Sequence, residues 1–401
     1  MPPAPNTGAA LTRRQLLLAT GASAMLGLTG CAPTTPVTAT PAVPASPPSA
    51  RLRLIGEARL PSRLQFQGTT VGGLSGIDYD PASGQYFLLS DDGSSRNPAR
   101  FYTARIPLDA DHLGQPEITG VTSLRQADGS AYPAILRGRE VLDPESIRWR
   151  AASQTLFWTS EGNALAGVAP SLSETRLDGT LLRKFALPAM FDFGLLQGPR
   201  SNLTFEGLTL TPDGNSAWIS MEGPMLQDGP LPTVQAPGGP CRFTQIDLAS
   251  GRALRQIAYI PDAIPHAPVP PATRADNGIS EILMLDADRM LVLERAYMAG
   301  YGTDASNSLR LYLIDTRQGS DTLALPALQG AAYQPVNKLL LADFSAFIGP
   351  GTGRRLERLD NTEGMTWGPR LPNCNRSLVF ISDDNFNTRQ ITQLLAFEFF
   401  D

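Results

Sequence analysis

FEGLTLTPDGNSAWISMEG, residues 205–223, holds two apolar runs that alternate in the manner of half-buried strands, with the turn formers Pro212, Asp213, Gly214 and Asn215 between them. It reads as a β-hairpin framed by two acids, Glu206 and Glu222, placed symmetrically about the turn. Four more copies lie outward from it. They are GGLSGIDYDPASGQYFLLSDD (72–92), DPESIRWRAASQTLFWTSEGN (143–163), ISEILMLDADRMLVLER (279–295) and TEGMTWGPRLPNCNRSLVFISDDNF (362–386). A repeat of this size fixes the architecture before any local reading.

In three copies the leading position (Ser75, Glu145, Glu206) precedes the trailing one (Asp91, Glu161, Glu222) by 16 residues, with the turn at the midpoint. Glu281 with Glu294, and Glu363 with Asp383, are centred on their turns in the same way. A hairpin leaves one rim and returns to it, so residues equidistant from its turn end side by side. Every copy is therefore expected to deliver carboxylate to one common rim.

Stretches 100–106, 175–181, 242–248 and 310–315 read as third strands, and those from Lys184 and Gln256 as fourth strands. Four antiparallel strands repeated radially make an all-β propeller. Five repeats are visible, and 327–362 has room for a degenerate sixth. The strand from Leu52 has no hairpin of its own and the last copy lacks a fourth strand, so pairing the two termini closes the ring. The propeller spans 51–401.

Residues 1–30 read as an export signal: Arg13 and Arg14 precede a short apolar stretch ending in Leu-Thr-Gly before Cys31. The pair is twin-arginine-like, and the last four residues resemble a bacterial lipobox, which implies cleavage and lipidation of Cys31. Residues 31–50, rich in Pro, Thr and Ala, form a tether. The expected location is a bacterial cell envelope, periplasm-facing or at the outer membrane, with membrane contact only through Cys31. Cys241 and Cys374 then remain, either paired or as free thiols.

A net charge of −5 and a pI near 5.3 argue against nucleic acid as partner. With only His112 and His266, both in loops, imidazole-based zinc sites and Ser-His-Asp chemistry lack their parts. Gly73-Leu-Ser75-Gly-Ile77 departs from a nucleophile elbow at its last position, and no phosphate-cradling Gly-rich loop ending in Lys is present. What remains is oxygen: Asp91, Asp92, Glu145, Glu161, Glu206, Glu222, Glu281, Glu294, Glu363, Asp383 and Asp384, with Asn385 adjacent. Such a cluster repels itself unless a cation joins it, and irregular all-oxygen sites suit Ca²⁺. Arg100, Arg200, Arg295 and Arg376 are placed to pair with acids or to grip an anionic substrate. The same acids could instead bond neighbouring-blade amides or hold one structural ion.

The chain resembles the phytase-like propeller family, also described by an esterase-like activity. The carriers are Gly73–Ile77 with Leu89–Asp92, Asp143–Ile147, Asn202–Leu208, Leu293–Tyr297, Asn361–Met365, Ser382–Phe386 and Gln393–Phe397. The resemblance implies calcium-dependent hydrolysis of a small phosphoester, with Asp91, Asp92, Glu206, Glu222, Glu281, Glu363, Asp383 and Asp384 as the metal candidates. It makes Glu145 or Glu161 the residue that positions water, and Arg100, Arg295 and Asn385 the substrate contacts. Two other readings stand beside it: a non-catalytic ligand- or partner-binding propeller, and a calcium-dependent hydrolase of carboxylic esters or lactones. Lysines are scarce (Lys184 and Lys338), which weighs against inositol polyphosphates.

Overall fold

The computed structural model describes residues 51–134, 142–301, 306–351, 353 and 355–401. The export signal, Cys31 and the tether lie outside the described residues. Each copy of the repeat supplies the two inner strands of a four-stranded antiparallel blade, and there are five blades. Blade I comprises Leu74–Asp80, Gln85–Ser90, Arg100–Arg105 and Glu117–Ser123, and blade II Pro144–Arg150, Thr155–Ser160, Ser171–Arg176 and Leu181–Lys184. Blade III comprises Phe205–Leu210, Ser216–Met221, Cys241–Asp247 and Ala253–Tyr259, and blade IV Ala275–Met284, Arg289–Met298, Asn307–Asp315 and Lys338–Asp343. Blade V joins Asn361–Arg370, Arg376–Asp383 and Gln393–Phe399 to the N-terminal strand Leu52–Arg59, whose register runs from Leu52 opposite Phe399 to Arg59 opposite Gln393. The ring is closed by its termini.

Two expectations are corrected. Among the described residues no sixth blade lies in 327–362, because Lys338–Asp343 is the outer strand of blade IV and a 3-10 turn, Phe344–Phe347, leads on to blade V. Residues 175–181 are not a strand either. The third strand of blade II ends at Arg176, and Gly179, at φ +86°, turns the chain into the fourth.

Strands such as Thr155–Ser160 are buried along their whole length because both faces of a blade meet neighbours. The apolar core is accordingly a ring of inter-blade layers. Phe87 and Leu89 of blade I pack with Leu156 and Trp158 of blade II, and Leu291 and Leu293 of blade IV with Leu378 and Phe380 of blade V. Along the axis the inner strands approach closely. A Cβ on Gly76 would sit 2.7 Å from the Glu145 carbonyl, and one on Gly364 2.7 Å from that of Ser75.

At the same strand position blade IV carries Glu281, and its carboxylate fills the axis. It pairs with Arg148 at 2.7 Å, both side chains being almost wholly buried, and accepts bonds from Ser146 Oγ and from the amides of Leu208 and Ile282. Arg148 in turn donates to the carbonyls of Ile77, Ile147, Ile282 and Met365. Between them the two side chains touch all five blades. Removing one partner leaves the other charged and buried, so Arg148→Met or Glu281→Leu alone is expected to cost about 3–5 kcal/mol. The double replacement should cost clearly less than the sum, as read from urea unfolding; strict additivity would show that the pair is not a unit.

Candidate functional site

The first strand of each hairpin carries a β-bulge, and in blades I, II, III and V the bulge falls on the leading position of the repeat. Ser75, Glu145 (with Ser146), Glu206, Ser280 and Glu363 are the unpaired residues, between Leu74 and Gly76, Pro144 and Ile147, Phe205 and Gly207, Ile279 and Glu281, and Thr362 and Gly364. Bulges re-aim side chains. The trailing residues, one beyond the partner of each strand's preceding position, are Asp91, Glu161, Glu222, Arg295 and Asp383.

Of these, all but Ser75, Ser146 and Ser280 line a cavity of about 900 Å³, whose walls include Asp91, Asp143, Glu145, Glu161, Glu206, Glu222, Arg295, Glu363, Asp383 and Asn385. Glu281 and Glu294, expected at this rim, are one residue out of register and do not line it. Ser280 and Arg295 occupy the equivalent places. Glu281 is the axial residue, and Glu294 is held at the blade III–IV contact by Tyr259, Asn277 and Lys338. Asp92 is consumed by the buried Arg100 at 2.8 Å and by the amides of Ser95, Arg96 and Asn97, so neither Asp92 nor Arg100 faces the cavity. Asp384 caps the amides of Gly73 and Phe386. Arg376 lies away from the cavity, donating to the Leu285 carbonyl, and Arg200 holds the carbonyls of Pro224 and Gly229. Cys241 and Cys374 are free thiols.

Asp143, Asp276, Asp360, Asn361, Arg274, Arg358 and Arg389 also line the cavity and were not anticipated. Asp143 and Asn361 both stand two residues before the bulged acid of their strands, Glu145 and Glu363, a position that alignment of the five copies exposes.

Ten carboxylates face four arginines around this cavity, a balance that full ionisation could not sustain. Burial first, and neighbouring carboxylates second, push Asp91, Glu145, Glu161, Glu206 and Asp383 well above the ordinary carboxylate range. Asp143 and Glu222 are pushed up to about 7, both by burial; Arg295, 3.2 Å from Glu222, partly opposes the effect there. Arg295 also lies 3.6 Å from Glu363, and these acids raise its own pKa against the effect of burial. Asn361 Nδ2 donates to Glu363 and Asp383, and the Thr204 amide to Glu161 at 2.6 Å. Among the described residues no donor reaches the side chains of Asp91, Glu145 or Glu206.

Two triads, Asp143/Glu145/Glu161 and Glu161/Glu206/Glu222, bring one oxygen from each member within 4.8 Å of the others, with Glu161 common to both. The donor set is all oxygen, buried and short of positive charge. That fits a hard divalent cation. Glu145 and Glu161, expected to position water, thus belong to the oxygen sets themselves.

A raised carboxyl pKa means that the folded state retains protons the unfolded chain has released. In the cation-free protein the stability from Asp143 and Glu222 is therefore complete below about 4 and is lost as pH rises towards about 7. A divalent cation held by these oxygens would compete with protons for them, so calcium should raise the melting temperature more at pH 8 than at pH 5. Calorimetry at the two pH values checks this, and equal shifts would rule it out.

No curated protein matches the chain in sequence. Among solved structures, the Kuenenia stuttgartiensis hydrazine synthase is similar at TM-score 0.35 and 14% identity, over 80% of each chain. The catalytic domain of the Coprinopsis cinerea GH62 α-L-arabinofuranosidase is similar at TM-score 0.41 and 11% identity, over 87% of this chain and 98% of that one. At these scores neither likeness bears on activity. The family described as phytase-like, with esterase-like activity of phytase, matches residues 69–386. Most of the propeller, including every carboxylate that lines the acidic cavity, falls within that match, and the chain belongs to the phytase-like family.

Proposed function

We propose that the protein is a calcium-dependent hydrolase of small phosphate monoesters, working in the acidic cavity. The observation that carries this is the pair of oxygen triads sharing Glu161, with buried Glu145 and Glu206 left without donors. Asp143, Glu145 and Glu161 would hold one cation, and Glu161, Glu206 and Glu222 a second. A bound cation supplies neutralisation of the ester's oxygens and an acidified water.

The chain's own groups do the rest. Arg295, fixed between Glu222 and Glu363, presents a rigid positive charge to an anionic ester. Asn385 lines the same cavity, its backbone amide donating to Asp383 at 2.7 Å. Asp91, crowded by Asp383 and Glu363 and free of donors, is the carboxylate left to take a proton from attacking water. Neither lysine lines the cavity: Lys338 is bound to Asp262 and Glu294, and Lys184 ends an outer strand. This favours a singly phosphorylated substrate over a polyphosphate.

The alternative is hydrolysis of carboxylic esters or lactones, favoured by the esterase-like description of the family and by this scarcity of lysine. Under either reading the export signal and Cys31 would place the enzyme in the cell envelope, tethered by lipid.

The test is turnover of a phosphate monoester and a carboxylic ester, each with calcium or chelator. Phosphomonoester turnover should vanish with chelator, and Glu161→Gln, which touches both triads, should fall by roughly 100-fold or more. Turnover of the carboxylic ester alone would select the alternative. Calcium binding without turnover of either would leave a ligand-binding propeller.

A further inference from the structure

We infer that the ester taken here is amphiphilic, its anionic head among the carboxylates and its alkyl chain in an apolar groove beside them. This rests on the hydrolase reading above. The groove, of about 650 Å³, is lined by Phe193, Leu195, Pro199, Leu203, Leu226 and Leu231. Leu203 lines both groove and acidic cavity, so the two lie side by side with this residue in common.

The join is built from the residues that hold the acids. Thr204, next to Leu203, donates its amide to Glu161. Gly223 follows Glu222, and a Cβ there would lie 3.2 Å from Leu203 and 3.6 Å from Leu231. The apolar surface thus begins one residue from each of two carboxylates.

Its walls are held in place. Arg200, which also lines the groove, donates to the carbonyls of Pro224 at 3.1 Å and Gly229 at 2.9 Å. The Gly198 amide donates to Gln227 Oε1, and Leu226 donates its amide to the Gly198 carbonyl. On this fixed frame Leu195 is 98% exposed, Leu196 89% and Leu231 41%, and Leu165, beside the lining residue Ala164, is 99% exposed. Scattered exposed leucines need no explanation, but leucines gathered around one concave groove do. A wholly hydrophilic substrate would leave that surface wet. A chain attached to the head group in the cavity would cover it, and the shared Leu203 places the groove within reach of such a chain.

Calorimetric titration with uncleavable methyl-, butyl- and hexylphosphonate, in calcium, tests this. Affinity should rise about two- to threefold per methylene, below the value for complete burial because the groove is open on one side. In L195S/L231S the hexyl-to-methyl ratio should fall towards one, a ratio that general loss of folded protein would not move. A flat series with methylphosphonate still bound would overturn this inference and leave the hydrolase reading intact. Absence of binding by every member would overturn both. Sedimentation with phosphatidylcholine vesicles that the double variant loses would assign the leucines to a membrane surface instead, and would also overturn it.

Discussion

One buried ion pair on the axis, Arg148 with Glu281, joins the five inner strands. A propeller's inner strands converge there, and close approach leaves room for glycine at Gly76, Gly207 and Gly364 but not for a layer of apolar side chains. Carbonyls and amides would otherwise face an empty channel. A guanidinium and a carboxylate reaching across satisfy them. Desolvation makes the pair a modest source of net stability, but loss of either partner alone is severe. Its role is to fix how the blades sit, and the carboxylate geometry above depends on that.

The cavity has the opposite character. Its acids are brought together by bulges that interrupt the ladder at the same place in every blade, and their mutual repulsion works against folding. Burial and mutual repulsion raise their pKa values together, and on the proposed reading a bound cation would relieve that repulsion. Stability low in the axis and tension above it are two results of one symmetric construction.

The rim is uneven where the symmetry fails. Arg295 replaces an acid only in blade IV, and the leucine-rich loops belong to blades II and III. The ring therefore has a charged side and an apolar side, and a molecule with a head and a chain suits both.

The repeat determined the fold on its own, because hairpins with apolar strands and polar turns have few ways to bury both faces, and five of them with unpaired strands at the two termini make a closed ring. It also determined that acids collect at one end, since hairpin symmetry returns Glu145 with Glu161, and Glu206 with Glu222, to the same rim. Blade IV was decided only by tertiary structure. The bulge falls on Ser280, and a one-residue slip sends Glu281 into the axis and Glu294 to the blade III–IV contact, because successive strand side chains point to opposite faces. Asp92 and Asp384 escaped sequence reading for a related reason: which acids are consumed by Arg100 or by loop amides depends on donors brought from elsewhere in the chain. Composition and spacing count the carboxylates. Only the folded ring decides which of them are left without a partner.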